Sequence, residues 1–222
     1  YDPTPGSATR NAANAWLAAG GSRLASVERN RNSQAVQRVV RQAQNVSSVW
    51  IDLFDVRARY TLDVNDLGRF TTTLSATYNT KYEYADGGAR VDALGRQNAR
   101  TGVVAPVPEL KSQLRLAWMR DSQSASLTYS YQDSVVFDDT VNNLLTGVPA
   151  PSDGMVRHWS IANAQYTHVL DQFFDSEITL SAGINNIFDR LPQRLPVLGG
   201  FESRLHSPWG RQFWASVEWQ PF

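Results

Sequence analysis

The chain of 222 residues carries 21 lysines and arginines against 21 aspartates and glutamates, so its formal net charge is zero and nothing points to a nucleic-acid partner. A hydrophobic fraction of 42% with 19% charged residues excludes an intrinsically disordered chain. The sequence has no cysteine, hence no disulfide framework or thiolate chemistry, and no run of about 18 apolar residues such as a membrane helix needs.

Residues 1–33 show no alternation, and "SATRNAANAWLAAGG" reads as a short helix ending at Gly20 and Gly21. From residue 34 onward the pattern is one of period two, the mark of strands with two chemically different faces. "QAVQRVVRQA" reads as a first strand. In "VWIDLFDVRARYTLDV" the even positions Trp50, Asp52, Phe54, Val56, Ala58, Tyr60, Leu62 and Val64 oppose Asp55, Arg57, Arg59, Thr61 and Asp63. "GRFTTTLSATYNTKYEY" continues this, with Phe70, Leu74, Ala76, Tyr78, Tyr82 and Tyr84 against Arg69, Thr71, Thr73, Ser75, Asn79, Lys81 and Glu83. Between them "NDLG" reads as a hairpin turn. "LKSQLRLAWM" and "SASLTYSYQDSVVF" form the next pair, joined at Arg120 to Gln123; "VRHWSIANAQYTHVL" and "EITLSAGINNIF" follow, joined at Asp171 to Asp175. The last strand is "GRQFWASVEWQPF", where Phe213, Ala215, Val217 and Trp219 share a face and Trp214 is the exception.

That makes about eight strands, with short turns alternating with long loops at about 85–108, 138–155 and 189–209 that hold most of the proline and glycine. The pattern predicts an all-β, antiparallel transmembrane barrel wall, with short turns at one end and long loops at the other. A soluble eight-stranded barrel has no room inside for Trp50, Phe54, Tyr60, Tyr78, Tyr82, Trp118, Tyr129 and Tyr131. A soluble carbohydrate-binding sandwich would use strands of about 5 to 6 residues, far shorter than these. Turning the polar set outward in a membrane would place Arg57, Arg59, Lys81 and Arg115 in hydrocarbon, at about 2–4 kcal/mol for each near the midplane. The expected assignment is therefore Phe54, Tyr60, Tyr78, Tyr82, Trp118, Tyr129, Tyr131 and Trp219 toward lipid, and Asp55, Arg57, Arg59, Lys81, Glu83 and Arg115 toward a lumen.

With those strands in place, the run "RVVRQAQNVSSVWIDLFDVRARYTLD", the step "NNIFD" at Asn185 to Asp189 and the last strand resemble the C-terminal part of TonB-dependent outer-membrane transporters. In that family an Asn precedes a Gly-Ile-Asp-like step; here Asn45 and Trp50 to Asp52 stand in, with Trp50 where glycine is usual. The closing strand, through Phe213, Val217, Trp219 and Phe222, is similar to the family's insertion signal for the barrel-assembly machinery and departs from it at Pro221. The resemblance implies a 22-stranded barrel filled by a plug. This chain would then be its C-terminal part, residues 34–222 forming the wall and 1–33 a periplasmic connection. The plug, the N-terminal strands and the TonB box, none of which is seen here, would lie on another or a cleaved chain, and the TonB-ExbB-ExbD complex would act through the plug. The implied location is the outer membrane of a Gram-negative bacterium, the implied task uptake of a siderophore, cobalamin, sugar or peptide. The alternative is a self-contained eight-stranded barrel with a structural or adhesive role.

No enzyme or cofactor motif is found. His158, His168 and His206 lack metal-ligand spacing and read as ordinary surface or loop residues. Asp55, Asp63, Glu83, Glu177 and Glu218 read as partners of Arg57, Arg59, Lys81 and Arg115 in cross-strand salt-bridge ladders. The substrate candidates sit on loops: Arg90, Arg96 and Arg100, suited to an anionic ligand or to lipopolysaccharide phosphate, then Asp138, Asp139, Asn142 and Asn143.

Overall fold

The computed structural model describes residues 25–29, 36–41, 48–86, 89–99, 104–138, 148–170, 176–197 and 199–221. The chain falls into two compact units, Tyr1–Ser47 and Ser48–Phe222. In the first, strand β1 (Ala25–Arg29) pairs antiparallel with β2 (Val36–Arg41). The expected strand around residues 34–43 thus exists, but its partner is a strand in a stretch that shows no alternation, and the two form a sheet of their own. The expected helix before Gly20 lies outside the described residues.

The second unit is built on one antiparallel sheet. Its strands are β3 (Val49–Val64), β4 (Gly68–Asp86), β5 (Ala89–Asp92), β6 (Leu110–Arg120), β7 (Gln123–Gln132), β10 (Trp159–Leu170), β11 (Ser176–Asn185) and β12 (Gln212–Pro221), while β8 (Val135–Val136) and β9 (Met155–Val156) pair apart. The order is β3, β4, β6, β7, β10, β11, β12, so the long strands pair in the order in which they follow one another along the chain. β5 pairs with the far end of β4, at Glu83 to Asp86, beyond the stretch that β6 covers. It is an eighth strand that the sequence pattern did not predict, and it leaves the outer edge of β3, where residues 34–43 were expected, without a ladder among the described residues. β3 and β12 are the edges, and among the described residues no ladder joins them.

The register carries the alternation across the whole sheet. One row runs Tyr60, Thr72, Leu116, Leu127, Ala164, Ile184, Phe213, and the next runs Leu62, Phe70, Trp118, Ala125, Tyr166, Ala182, Ala215. Phe54, Tyr78, Tyr129, Tyr131 and Trp219 fall on this same face. The opposite rows are polar: Arg59, Thr73, Arg115, Thr128, Asn163, and Arg57, Ser75, Gln113, Ser130. Trp214 belongs to the polar face, where its indole lies in the space a side chain on Gly183 would occupy. Neither face is covered along most of the sheet: Phe54 and Tyr60 are 65% exposed, Phe213 and Val217 above 70%.

One irregularity reverses part of the expected assignment. Asp52 pairs with Lys81 and Leu53 with Asn79, which leaves Thr80 as an extra residue in β4. Such a bulge shifts the alternation of the strand that contains it. Lys81 and Glu83 consequently share the aromatic face with Trp50 and Asp52, whereas Tyr82 and Tyr84 turn to the polar face beside Ile51 and Val49. Contacts agree with the register: Lys81 Nζ and Arg90 Nη1 each lie 3.6 Å from Glu83 Oε2, and the Arg90 guanidinium sits 4.0 Å over the Trp50 ring. The expectations of Lys81 and Glu83 with the polar set, and of Tyr82 with the aromatic set, are corrected by this inserted residue.

At the short-turn end, Asn65–Leu67 make a single 3-10 turn closed by Gly68, whose φ of 91° and ψ of −161° lie in a region open almost only to glycine. A Cβ there would also collide with the Met119 carbonyl oxygen. Gly68→Ala is expected to destabilise the sheet by about 1–3 kcal/mol, read as a lower chemical-unfolding midpoint; an unchanged midpoint would refute this account of the turn.

Candidate functional site

The three long loops fold back over the polar face at one end of the strands and pack on each other. Ala93 and Val104 bury the Tyr84 ring, with Tyr82 and Val91 beside them, which explains why the bulge turns those tyrosines inward. Asn79, buried on the polar face, donates through Nδ2 to Pro108 O at 2.9 Å. Gln132 Nε2 donates to Leu205 O, and the Trp159 ring stacks on His206 at 4.8 Å. A second small core joins the loops themselves: Val135 of β8 and Val156 of β9 meet Leu195, Val197 and Leu205, with Phe137 against them. Backbone bonds Gly95 N to Val107 O (2.9 Å), Val136 N to Gly95 O (2.7 Å) and Gln97 N to Val136 O (2.9 Å) stitch the segments together.

The centre of this loop layer is polar and buried. Glu202 accepts from Gln97 Nε2 at 2.8 Å and from Arg204 Nε and Nη2 at 2.8 and 2.9 Å. Arg204 Nη2 also reaches Gln97 O at 3.1 Å. Burial alone would raise the Glu202 carboxyl, but the Arg204 guanidinium, the Gln97 amide and the Arg204 backbone N–H together hold it below its ordinary value of 4.5. Asn98, buried with a φ of 55° that asparagine tolerates, donates through Nδ2 to Ala93 O and Ala105 O. Asp138 accepts from the backbone N–H groups of Asn98 and Ala99 at 3.1 and 3.0 Å.

A second node lies at the "NNIFD" step. Asn186 has a φ of 52° and is buried; its Nδ2 donates to Arg190 O and Trp209 O, and its Oδ1 accepts from Arg190 N. Asp189, with a φ of 53°, accepts from Arg211 N at 2.7 Å. These residue types are there because a short polar side chain satisfies the loop backbone and visits the left-handed region at low cost. Arg190 then reaches Ser160 Oγ at 2.5 Å and His158 O at 2.7 Å, locking the start of β10.

The sequence-derived loop candidates play different parts from those expected. Arg90 is held by Glu83 and Trp50 on the aromatic face, and Asp138 clamps loop backbone rather than facing open space. Arg96 is exposed and pairs its backbone with Val136. Arg100, Asp139, Asn142 and Asn143 lie outside the described residues, as does Phe222. The buried Gln97, Glu202 and His206, and Arg204 beside them, were missed; no local pattern marks them, since Gln97 and Glu202 are 105 residues apart.

The ladders on the polar face are also thinner than expected. Asp63 takes Arg69 Nε at 2.7 Å, and Asp55 accepts from Thr77 Oγ1. Among the described residues Arg57, Arg59 and Arg115 have no ion pair, because Glu83 has moved to the other face and Glu177 and Glu218 sit on β11 and β12. Two concavities open on this face. One of about 370 Å³ lies next to the loop layer and is lined by Thr77, Lys111, Gln113, Ser130, Gln132 and Trp159. The other, about 250 Å³, lies toward the short turns and holds Arg59, Arg69 and Arg115. Searches of family models, curated proteins and solved structures return no match to the chain.

His206 lies in a loop, as expected, but not at its surface: it is 4% exposed, Nε2 donates to Arg157 O at 3.1 Å, and Nδ1 is buried without a partner. Burial, with the Arg190 charge adding to it against the Arg157 carbonyl, lowers its pKa below 6.5. As pH falls the unfolded chain therefore protonates before the fold does. The contribution of neutral His206 is complete above pH 6.5 and is lost progressively below it. Between about pH 8 and 5 the urea midpoint of the wild type is expected to fall more than that of His206→Gln; parallel curves would show that this ring does not govern the layer.

Proposed function

We propose that this chain forms part of the barrel wall and the extracellular loop layer of a TonB-dependent outer-membrane transporter for energy-coupled uptake of a scarce nutrient. The observation that carries the reading is the exposed apolar face, continuous through seven strands, backed by a polar face on which the loops close. In water such a face is far larger than a soluble monomer leaves uncovered; in a bilayer it is the lipid-facing wall. β6, β7, β10, β11 and β12 run 10 to 12 residues, near the about 9–11 that a tilted strand needs to cross. Trp118, whose Nε1 donates to Leu67 O at 2.7 Å, and Trp219 suit the headgroup level at the short-turn end.

That β3 and β12 carry no ladder on their outer sides among the described residues favours a segment of a larger wall over a self-contained eight-stranded barrel with a structural or adhesive role. Lipid cannot satisfy the free backbone groups of β3 and β12, so both need further strands. On this reading those strands and a plug come from elsewhere in the transporter, the TonB-ExbB-ExbD complex acts through that plug, and β12 presents the insertion signal to the barrel-assembly machinery. The aromatic face with Lys81, Glu83 and Arg90 at its loop end then meets lipopolysaccharide.

Two measurements test it. Isolation of the native outer-membrane particle should recover the chain with additional barrel strands and a plug; recovery of this chain alone as a closed, heat-modifiable barrel would favour the alternative. Leu127→Arg, in the middle of the apolar face, should cost about 2–4 kcal/mol and block insertion, while Gln113→Arg on the polar face should insert normally. Equal insertion of the two would overturn the orientation.

A further inference from the structure

We infer that the polar face holds a binding site for a small multivalent oxyanion, a polycarboxylate or phosphate, centred on Arg59 and Arg115. The inference rests on the transporter reading for its biological meaning, since it would name the charge class of the solute that passes along this face. Its physical basis is independent of that reading.

The cations of the polar face are gathered on three adjacent strands. Arg57 and Arg59 project from β3, Arg69 from β4, and Lys111 and Arg115 from β6. Against them stand Asp55, accepting from Thr77, and Asp63, accepting from Arg69 Nε. Arg59 and Arg115 flank Thr73 in one row, their backbones about 10 Å apart across two strand spacings. Both line the same concavity of about 250 Å³, with Arg69, Thr71, Ser126 and Gln165 completing its polar wall. Guanidinium, hydroxyl and carboxamide groups all donate hydrogen bonds, and the wall contains no carboxylate.

Arg69 is met by Asp63, so the Arg59 and Arg115 guanidinium groups are the two that repel each other across the cavity. A dianion or trianion seated between them removes that repulsion and engages their planar forks in paired hydrogen bonds, the geometry in which arginine surpasses lysine. The volume falls below the about 300–1,000 Å³ of pockets for drug-sized molecules, so the cavity suits a compact anion or one anionic arm of a larger solute. Glu177 and Glu218, the acids expected to pair with these cations, lie on β11 and β12, three or more strands from Arg115. They are too far across the sheet to serve as internal counterions.

The test uses the full chain purified in detergent with whatever segments accompany it, titrated with tricarballylate and with inorganic phosphate at low and high salt. Tricarballylate should bind, and high salt should weaken it. Arg59→Gln with Arg115→Gln should reduce its affinity about tenfold or more, while the corresponding Arg→Lys pair, keeping charge without the fork, should fall between. An unchanged affinity in the Gln pair, or equal binding of the uncharged triamide of the same acid, would overturn the assignment. Outer-membrane insertion is measured on the same samples by heat-modifiable migration. A particle that inserts and ignores tricarballylate ends the anion site and leaves the transporter reading standing. A chain that binds with this arginine dependence but is absent from the outer membrane does the reverse.

Discussion

A strand turns successive side chains to opposite faces, and its backbone hydrogen bonds are satisfied only by the strands on either side. In the sheet built on β3 to β12 that constraint acts with little relief, because the large apolar side chains of one face stay exposed along most of the strands. Each row must therefore be apolar or polar across its full width. The rows through Tyr60 and Leu62 stay apolar or small over seven strands, and those through Arg57 and Arg59 stay polar over four or five. A sheet with so little core of its own draws its stability from ladders and from whatever medium meets its apolar side, and among the described residues the buried apolar clusters gather at its loop end.

The bulge at Thr80 is where the wall gives way to the loop layer. Below it, β4 keeps aromatic residues on one side and hydroxyls on the other. Above it the two sets exchange, so Tyr82 and Tyr84 become the floor for Ala93 and Val104, while Lys81 and Glu83 meet Arg90 and Trp50 outside. One inserted residue thus supplies aromatic packing under the loops and charge at the rim of the apolar band. Thr80 Oγ1 bonds Asp52 O at 3.1 Å, and Asn79 ties the same point to Pro108 and Glu109, so the bulge is held from both sides.

How far the sequence could be read follows from the range of the interactions. Strands, short turns and the two faces rest on contacts between sequence neighbours, and seven of the eight expected strands stand in the sheet near their expected bounds. The bulge escaped because "NTKYEY" alternates equally well in either frame, and only pairing with β3 selects one. β1 escaped because "ASVER" is short and shows no clear alternation. The loop layer was out of reach for a different reason: Glu202 and Arg204 look like solvated loop charges until Gln97 arrives from 105 residues away. The left-handed turns at Asn186 and Asp189 were visible as a motif, though their work of holding Arg190 on the start of β10 was not.

The order of the strands also sets an order of events. A meander in which successive long strands pair can grow hairpin by hairpin: the short turns close at little cost in chain entropy and the long loops at only somewhat more. The loop layer is the exception: its Gln97–Glu202 and Arg204–Gln97 bonds span 105 and 107 residues, from the connection before β6 to the one before β12. They can form only after the intervening strands have brought the two loops to the same end of the sheet. The layer therefore closes after β6 to β11 are in place: Glu202, already paired with Arg204, gains Gln97 only then, which makes that bond a chemical record that the strands between the two loops have assembled.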